Sequence, residues 1–196
     1  MTDSPAPRVI TMFISDMEMG GAQRVFLTLA RQFLNLGHGV RLILASRTGT
    51  LLNELDPRIE VVDLAAGAPR PAWRFGLRTL WHLNRELRQR PPEVMLSTLV
   101  GANLVALLAR ALSRRSFPLV IRESSSLANM RSAVRRACMR LLYRRADRIV
   151  ALTTHMKQQL ADALQLRPQQ LEVVGNPLDG QRITTLSSAP DEADDI

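Results

Sequence analysis

Two adjacent glycines, Gly20 and Gly21, stand where a strand-like run gives way to a helical one, a position suited to binding an anion. Glycine lets backbone N–H groups approach a phosphate or carboxylate closely, and a helix N-terminus adds positive potential there. The competing explanation is a tight strand-to-helix turn that needs glycine only for its backbone angles. Arg24 lies one turn into the helix, where its planar fork suits a phosphate or simply meets solvent. Polar residues also gather where later apolar runs end: Ser97 and Thr98; Arg122, Glu123 and Ser124; Thr153, Thr154 and His155; and Gly175, Asn176 and Pro177. Their hydroxyls can hydrogen-bond a polar ligand. Glu123 can orient a ligand hydroxyl or pair with Arg122, and Thr154 can equally cap a helix beginning at His155.

Other chemistries find little support. His38, His82 and His155 share no metal-ligand spacing, so no metal is expected. The single cysteine, Cys138, excludes an intrachain disulfide and any Cys-rich zinc site. There is no Walker-type lysine loop, no supported Ser-His-Asp order, and Gly20-Gly21 is not the GxGxxG of a dinucleotide oxidoreductase. The N-terminus lacks the basic start and apolar stretch of a signal peptide, and no apolar run is long enough to span a bilayer. A cytoplasmic location is therefore expected.

The elements that would hold these residues alternate along the chain. Strand-like runs occupy 9–14, 40–45, 59–64, 93–98, 118–121, 148–152 and 171–174. Helical spacing begins at Ala22 and recurs over about 73–90, 101–112, 129–145 and 155–164. Residues 65–72 and 122–126 read as loops, and 51–55 as one helical turn. Such alternation predicts a Rossmann-like α/β fold, a parallel sheet of about seven strands with helices on both faces. Ligands of such sheets bind beyond the carboxyl ends of the strands, where all five polar segments fall. Residues 1–7 are expected to be disordered and 8–180 to form the domain. Residues 181–196 would form an acidic tail or the start of a linker.

Four segments, in order, resemble bacterial family-4 glycosyltransferases. Gly20-Gly21-Ala22-Gln23-Arg24-Val25 resembles the family's GGAERV segment, and Gly37-His38-Gly39-Val40 its GHEV turn. Ala146-Asp147-Arg148-Ile149-Val150-Ala151 resembles its ADRVVAVS strand, and Asn176-Pro177-Leu178-Asp179 its IPNPVD segment. The resemblance implies the N-terminal, acceptor-side half of a retaining enzyme of two-domain GT-B architecture. Gln23 departs from the common glutamate. The family's Glu-x7-Glu motif, which belongs to its second domain, is absent, so the C-terminal donor domain is expected to lie outside these 196 residues. The chain alone should then be close to inactive.

By the same resemblance, Gly20, Gly21 and Arg24 would contact the donor diphosphate. Ser97, Thr98, Arg122, Glu123, Ser124, Thr153 and His155 would line an acceptor pocket, and Asn176 and Pro177 would form the interdomain hinge. The domain would bind no cofactor of its own, and the complete enzyme would use a nucleotide sugar. The expected partners are a saccharide or lipid-linked acceptor and a C-terminal donor-binding domain or chain.

The charge is uneven: seventeen arginines and four acids lie between Ala66 and Arg148, within a chain of net charge +8. Such a surface attracts anions, although arginine-rich solvated helices would look the same. On the helix over 129–145, Met130, Val134, Ala137, Cys138 and Leu141 form a stripe expected to pack on the sheet. Arg135, Arg136, Arg140 and Arg144, interleaved with Met139, Leu142 and Tyr143, would face outward toward an anionic inner membrane. Two alternatives stay open, a non-catalytic saccharide-, lipid- or protein-binding module and a nucleic-acid-binding protein. The second is disfavoured by an aromatic content of 4% and the lack of a recognised motif, and no nucleic acid is expected.

Overall fold

A computed structural model of the chain describes residues 6–64, 72–124 and 132–177. Within them the apolar runs become β1 (Val9–Ile14), β2 (Gly39–Leu44), β3 (Glu60–Asp63), β4 (Val94–Thr98), β5 (Leu119–Glu123), β6 (Arg148–Ala151) and β7 (Leu171–Val173). The amphipathic runs become α1 (Gly21–Asn35), α2 (Ala72–Gln89), α3 (Val100–Ser113), α4 (Ala133–Leu142) and α5 (Thr154–Leu164). Thr50–Glu54 forms the short 3-10 turn expected near 51–55. All strand pairs are parallel, in the order β3-β2-β1-β4-β5-β6-β7. The expected disordered start (in part), the loop 65–72 (all but its last residue), Met130 and the acidic tail lie outside the described residues.

Alternation along the strands builds two cores. Met12, Ile14, Leu42 and Leu44 face Phe26, Leu27 and Ala30 of α1. Phe13, Ile43, Met95, Leu119, Ile121 and Ile149 turn to the other face, where α2, α3, α4 and α5 cover them. Right-handed crossovers require this division. Chain stepping from β1 toward β3 keeps α1 on one face, and chain stepping toward β7 lays the remaining helices on the other. The direction reverses between β1 and β4, which opens a crevice at their carboxyl ends.

Local turns shape both ends of the sheet, the first of them at the amino ends of the strands. Helix α1 stops in a Schellman motif, with Gly37 at φ +84°, its N–H on the Leu34 carbonyl and the His38 N–H on Phe33. After β1, Met17 plunges into the core with no exposed surface, and its N–H donates to the Thr48 carbonyl at 2.9 Å. Gly49 makes that contact feasible. Its φ is +113°, and a Cβ there would sit 2.0 Å from the Met17 carbonyl carbon. The loop carrying Asp16 through Gly20 is thus clamped to the loop that follows β2.

One boundary difference bears on the site. β5 continues through Arg122 and Glu123, where the sequence predicts the start of a polar loop. Pairing decides this: Arg122 stands opposite both Thr98 of β4 and Val150 of β6, so the ladder holds its backbone whatever its side chain.

Candidate functional site

Gly20 caps α1 in extended conformation (φ −156°) and brings no side chain to the helix end. The first intrahelical bond runs from Arg24 N–H to the Gly20 carbonyl at 3.0 Å, and the first turn carries no acidic residue. The positive end of the helix is therefore not neutralised by its own side chains. Gly21 is exposed, and a Cβ added to it would meet nothing within 4 Å. Over Gly20 lies Gln23, whose Nε2 donates to Asp16 Oδ1 at 3.1 Å while the Glu18 N–H reaches the same oxygen at 3.1 Å. An amide can make that donation and a glutamate cannot, which gives Gln23 a structural reason for its departure from the family pattern. Asp16 went unrecognised in the sequence because its role depends on a residue one helical turn past the loop.

Arg24 leans along α1 rather than across its N-terminus. Its Nη1 lies 3.8 Å from Glu54 Oε1, with both side chains partly exposed. With Thr28, Arg31, Glu54 and Pro177 it lines a cavity of about 140 Å³. The segment after β7 thus reaches α1, and the two groups expected at the diphosphate and at the hinge meet in one place.

Ser97, Thr98, Arg122 and Glu123 come together, turned inward. Ser97, Thr98 and Glu123 have no exposed surface, and Arg122 is 5% exposed. Ser97 Oγ bonds Asn103 Oδ1 at 2.5 Å, and Asn103 Nδ2 donates to the Arg122 carbonyl at 3.0 Å. Tyr143 Oη donates to Glu123 Oε2 at 2.8 Å, and Ser124 N–H reaches Glu123 Oε1 at 3.2 Å. Burial, with the Glu123 charge beside it, pushes the Tyr143 hydroxyl well above its ordinary range, so it remains a donor at neutral pH. Arg122 Nη1 donates to Thr98 Oγ1 at 3.2 Å and Nη2 to Asn176 Oδ1 at 2.5 Å. Burial lowers the Arg122 guanidinium from its usual range, opposed by the Glu123 charge. Glu123 therefore bonds Tyr143, rather than presenting its carboxylate on the surface. The four side chains act as a polar keystone beneath the crevice. Asn103 and Tyr143 complete it; the sequence hides Asn103 inside an apolar helical run and places Tyr143 on the outward face of an arginine-rich helix.

Thr153, not Thr154, caps α5, accepting from the Met156 N–H at 3.1 Å. The helix starts one residue earlier than expected. Thr153 and His155 are both exposed, and His155 Nε2 lies 3.0 Å from Gln159 Nε2.

Helix α4 is turned the other way from the sequence expectation. Met139, Leu142 and Tyr143 are buried, whereas Val134 and Leu141 are 75% and 66% exposed and Cys138 is exposed. Both stripes have helical spacing. The inward one wins because Tyr143 opens a 3-10 turn (Tyr143–Arg145) that swings its hydroxyl onto Glu123. Arg135, Arg136, Arg140 and Arg144 are exposed, as expected, but they flank Val134, Cys138 and Leu141 instead of Met139, Leu142 and Tyr143.

The profile of Glycosyltransferase Family 4 matches residues 19–182, from the diglycine turn to just past the Asn176-Pro177 segment. The chain belongs to that family. No curated protein matches it. Among solved structures it is similar to the lipopolysaccharide outer core galactosyltransferase WaaB, with 17% identity, a TM-score of 0.66, and coverage of 87% of this chain and 46% of that one. It is also similar to HepE of Anabaena in complex with UDP and glucose, with 16% identity, a TM-score of 0.67, and coverage of 91% and 49%. Sucrose-phosphate synthase from Thermosynechococcus elongatus gives 13% identity, a TM-score of 0.68, and coverage of 86% and 48%. The chain spans about half the length of these neighbours, and its seven-stranded sheet is the Rossmann-like N-terminal domain of the GT-B glycosyltransferase fold.

Proposed function

We propose that this domain supplies the acceptor side of a retaining glycosyltransferase that moves a sugar from a nucleotide-sugar donor to a saccharide or lipid-linked acceptor. The observation that carries the reading is the N-terminus of α1 at Gly20-Gly21, without a side-chain cap and open at Gly21, inside the segment matched by the family profile. Amides aimed at a departing diphosphate stabilise its growing charge without having to reorganise. Arg24 joins them on releasing Glu54, a partly solvated partner at 3.8 Å that holds it weakly. A C-terminal donor domain closes the crevice from the other side, with Asn176 and Pro177 as the hinge.

The test is sugar transfer from a panel of nucleotide sugars to saccharide and lipid-linked acceptors. It uses the chain alone and joined to the C-terminal domain of a Family 4 enzyme. Transfer is expected in the joined form, with Gly21→Val lowering it roughly 10²-fold, the scale of losing one preorganised charge-stabilising contact. A Cβ at Gly21 meets nothing within 4 Å, so the substitution is directed at the ligand rather than the fold. Absence of transfer across the panel, or full activity of Gly21→Val, refutes the reading.

The outward face of α4 supports a cytoplasmic enzyme docked on an anionic inner membrane. Val134, Cys138 and Leu141 form an exposed apolar stripe flanked by Arg135, Arg136, Arg140 and Arg144, the composition of an interfacial helix. On α2, Leu77 and Trp81 are likewise 58% and 60% exposed on an arginine-rich helix. No helix among the described residues is long and apolar enough to cross a membrane. Flotation with anionic and neutral vesicles tests the docking: equal binding to both, or no effect of Leu141→Asp, removes it.

A further inference from the structure

On the helical side of the β1/β4 crevice lies a cavity of about 180 Å³. Phe13, Ala45, Phe75, Ala102 and Val105 give it apolar walls, and Ser15, Thr79, Gly76 and Gly101 complete them. Two features set it apart from a packing defect. Gly76 lies within α2 and Gly101 in the first turn of α3, where glycine is less favourable than alanine by about 1 kcal/mol in a helix interior. Neither position needs glycine for contact or backbone shape. An added Cβ would meet nothing within 4 Å at either, and neither has positive φ. The helices thus forgo side chains on the side of an open space.

We infer that this cavity receives the apolar end of the acceptor, an alkyl segment. The inference rests on the glycosyltransferase reading for the word acceptor and on the cavity alone for the ligand chemistry. The volume fits: an apolar cavity of about 150 Å³ is enough to hold a benzene-sized group. Among the described residues the walls do not suit a bare sugar, since five apolar side chains and the Ser15 hydroxyl cannot satisfy a ring of hydroxyl groups. The position places the alkyl end at the reversal of strand order, next to the loop that leads into the diglycine turn. A sugar attached to it would lie toward the crevice mouth.

The test titrates the full chain with n-hexyl β-glucoside, methyl β-glucoside and n-hexanol, followed by ligand-detected NMR. Hexyl glucoside should bind at least about tenfold more tightly than methyl glucoside, the result of burying a few methylenes. Gly76→Leu, which fills the cavity and favours the helix, should abolish that preference without lowering Tm. Equal binding of the two glucosides, or a preference that survives Gly76→Leu, overturns the inference. The two readings separate in the joined enzyme. Sugar transfer with no alkyl preference sinks the cavity assignment alone. Alkyl binding removed by Gly76→Leu, with no transfer to any acceptor, upholds the cavity and sinks the transferase.

Discussion

Replacing Gly49 by alanine tests how the loop bearing the diglycine turn is held, and Gly37→Ala supplies its internal control. Both glycines have positive φ, +113° and +84°. At Gly37 a Cβ meets nothing within 4 Å, so the cost is backbone strain alone, about 1–2 kcal/mol. At Gly49 (φ +113°, ψ +150°) the conformation is one that essentially only glycine adopts, worth about 1–3 kcal/mol of strain. The Cβ would also lie 2.0 Å from the carbonyl carbon and 2.1 Å from the carbonyl oxygen of Met17, and backbone cannot swing aside as a flexible side chain does. Met17 must move, and it is fully buried; full burial of such a side chain is worth about 1.5–3 kcal/mol. Losing part of it brings Gly49→Ala to about 3–5 kcal/mol, a large share of the roughly 5–15 kcal/mol that stabilises a domain. Urea unfolding of both variants at constant m-value measures the difference. Gly49→Ala should lose at least about 1 kcal/mol more than Gly37→Ala. Equal losses would show that the clamp on Met17 carries no energy, and the argument for how the diglycine loop is positioned would fail.

Tyr143→Phe removes the hydroxyl that donates to the fully buried Glu123, and should cost about 1–3 kcal/mol by urea unfolding, the penalty of an unsatisfied buried group. Arg41 joins β2 to α2 through Glu86 and the Arg90 carbonyl; Arg41→Met should destabilise by about 3 kcal/mol, and adding Glu86→Leu should recover much of it in a double-mutant cycle. Asp56, bonded by the Arg58 side chain and N–H, titrates at about 2 against an ordinary 3.8. Its contribution is present above pH 3.8 and lost as pH falls through about 2, so Asp56→Asn should flatten the stability curve between pH 4 and pH 2 and leave its slope at pH 7 unchanged. Thr153→Ala should cost about 1 kcal/mol and Thr154→Ala markedly less, read from Tm, because the cap lies at Thr153.

Strand and helix periodicity, with glycines at helix ends, located β1 through β7 and α1 through α5 to within a few residues, because those signals are local and repeat along each element. The diglycine turn and the five polar segments at the strand ends were legible for the same reason, once a parallel sheet placed every carboxyl end on one side. Facing and pairing were not local. Helix α4 offers two apolar stripes of equal spacing, and the partner for Tyr143, twenty residues back on β5, selects between them. Arg122 and Glu123 look like a surface loop until neighbouring strands enclose them and Asn176 arrives from fifty-four residues away. The open space between α2 and α3 has no signature along the chain, since it is defined by atoms that Gly76 and Gly101 lack. Composition and spacing thus determine which elements form and in what order. Long-range contact, through burial and the need to satisfy buried polar groups, selects which of their faces meet and where a ligand has room.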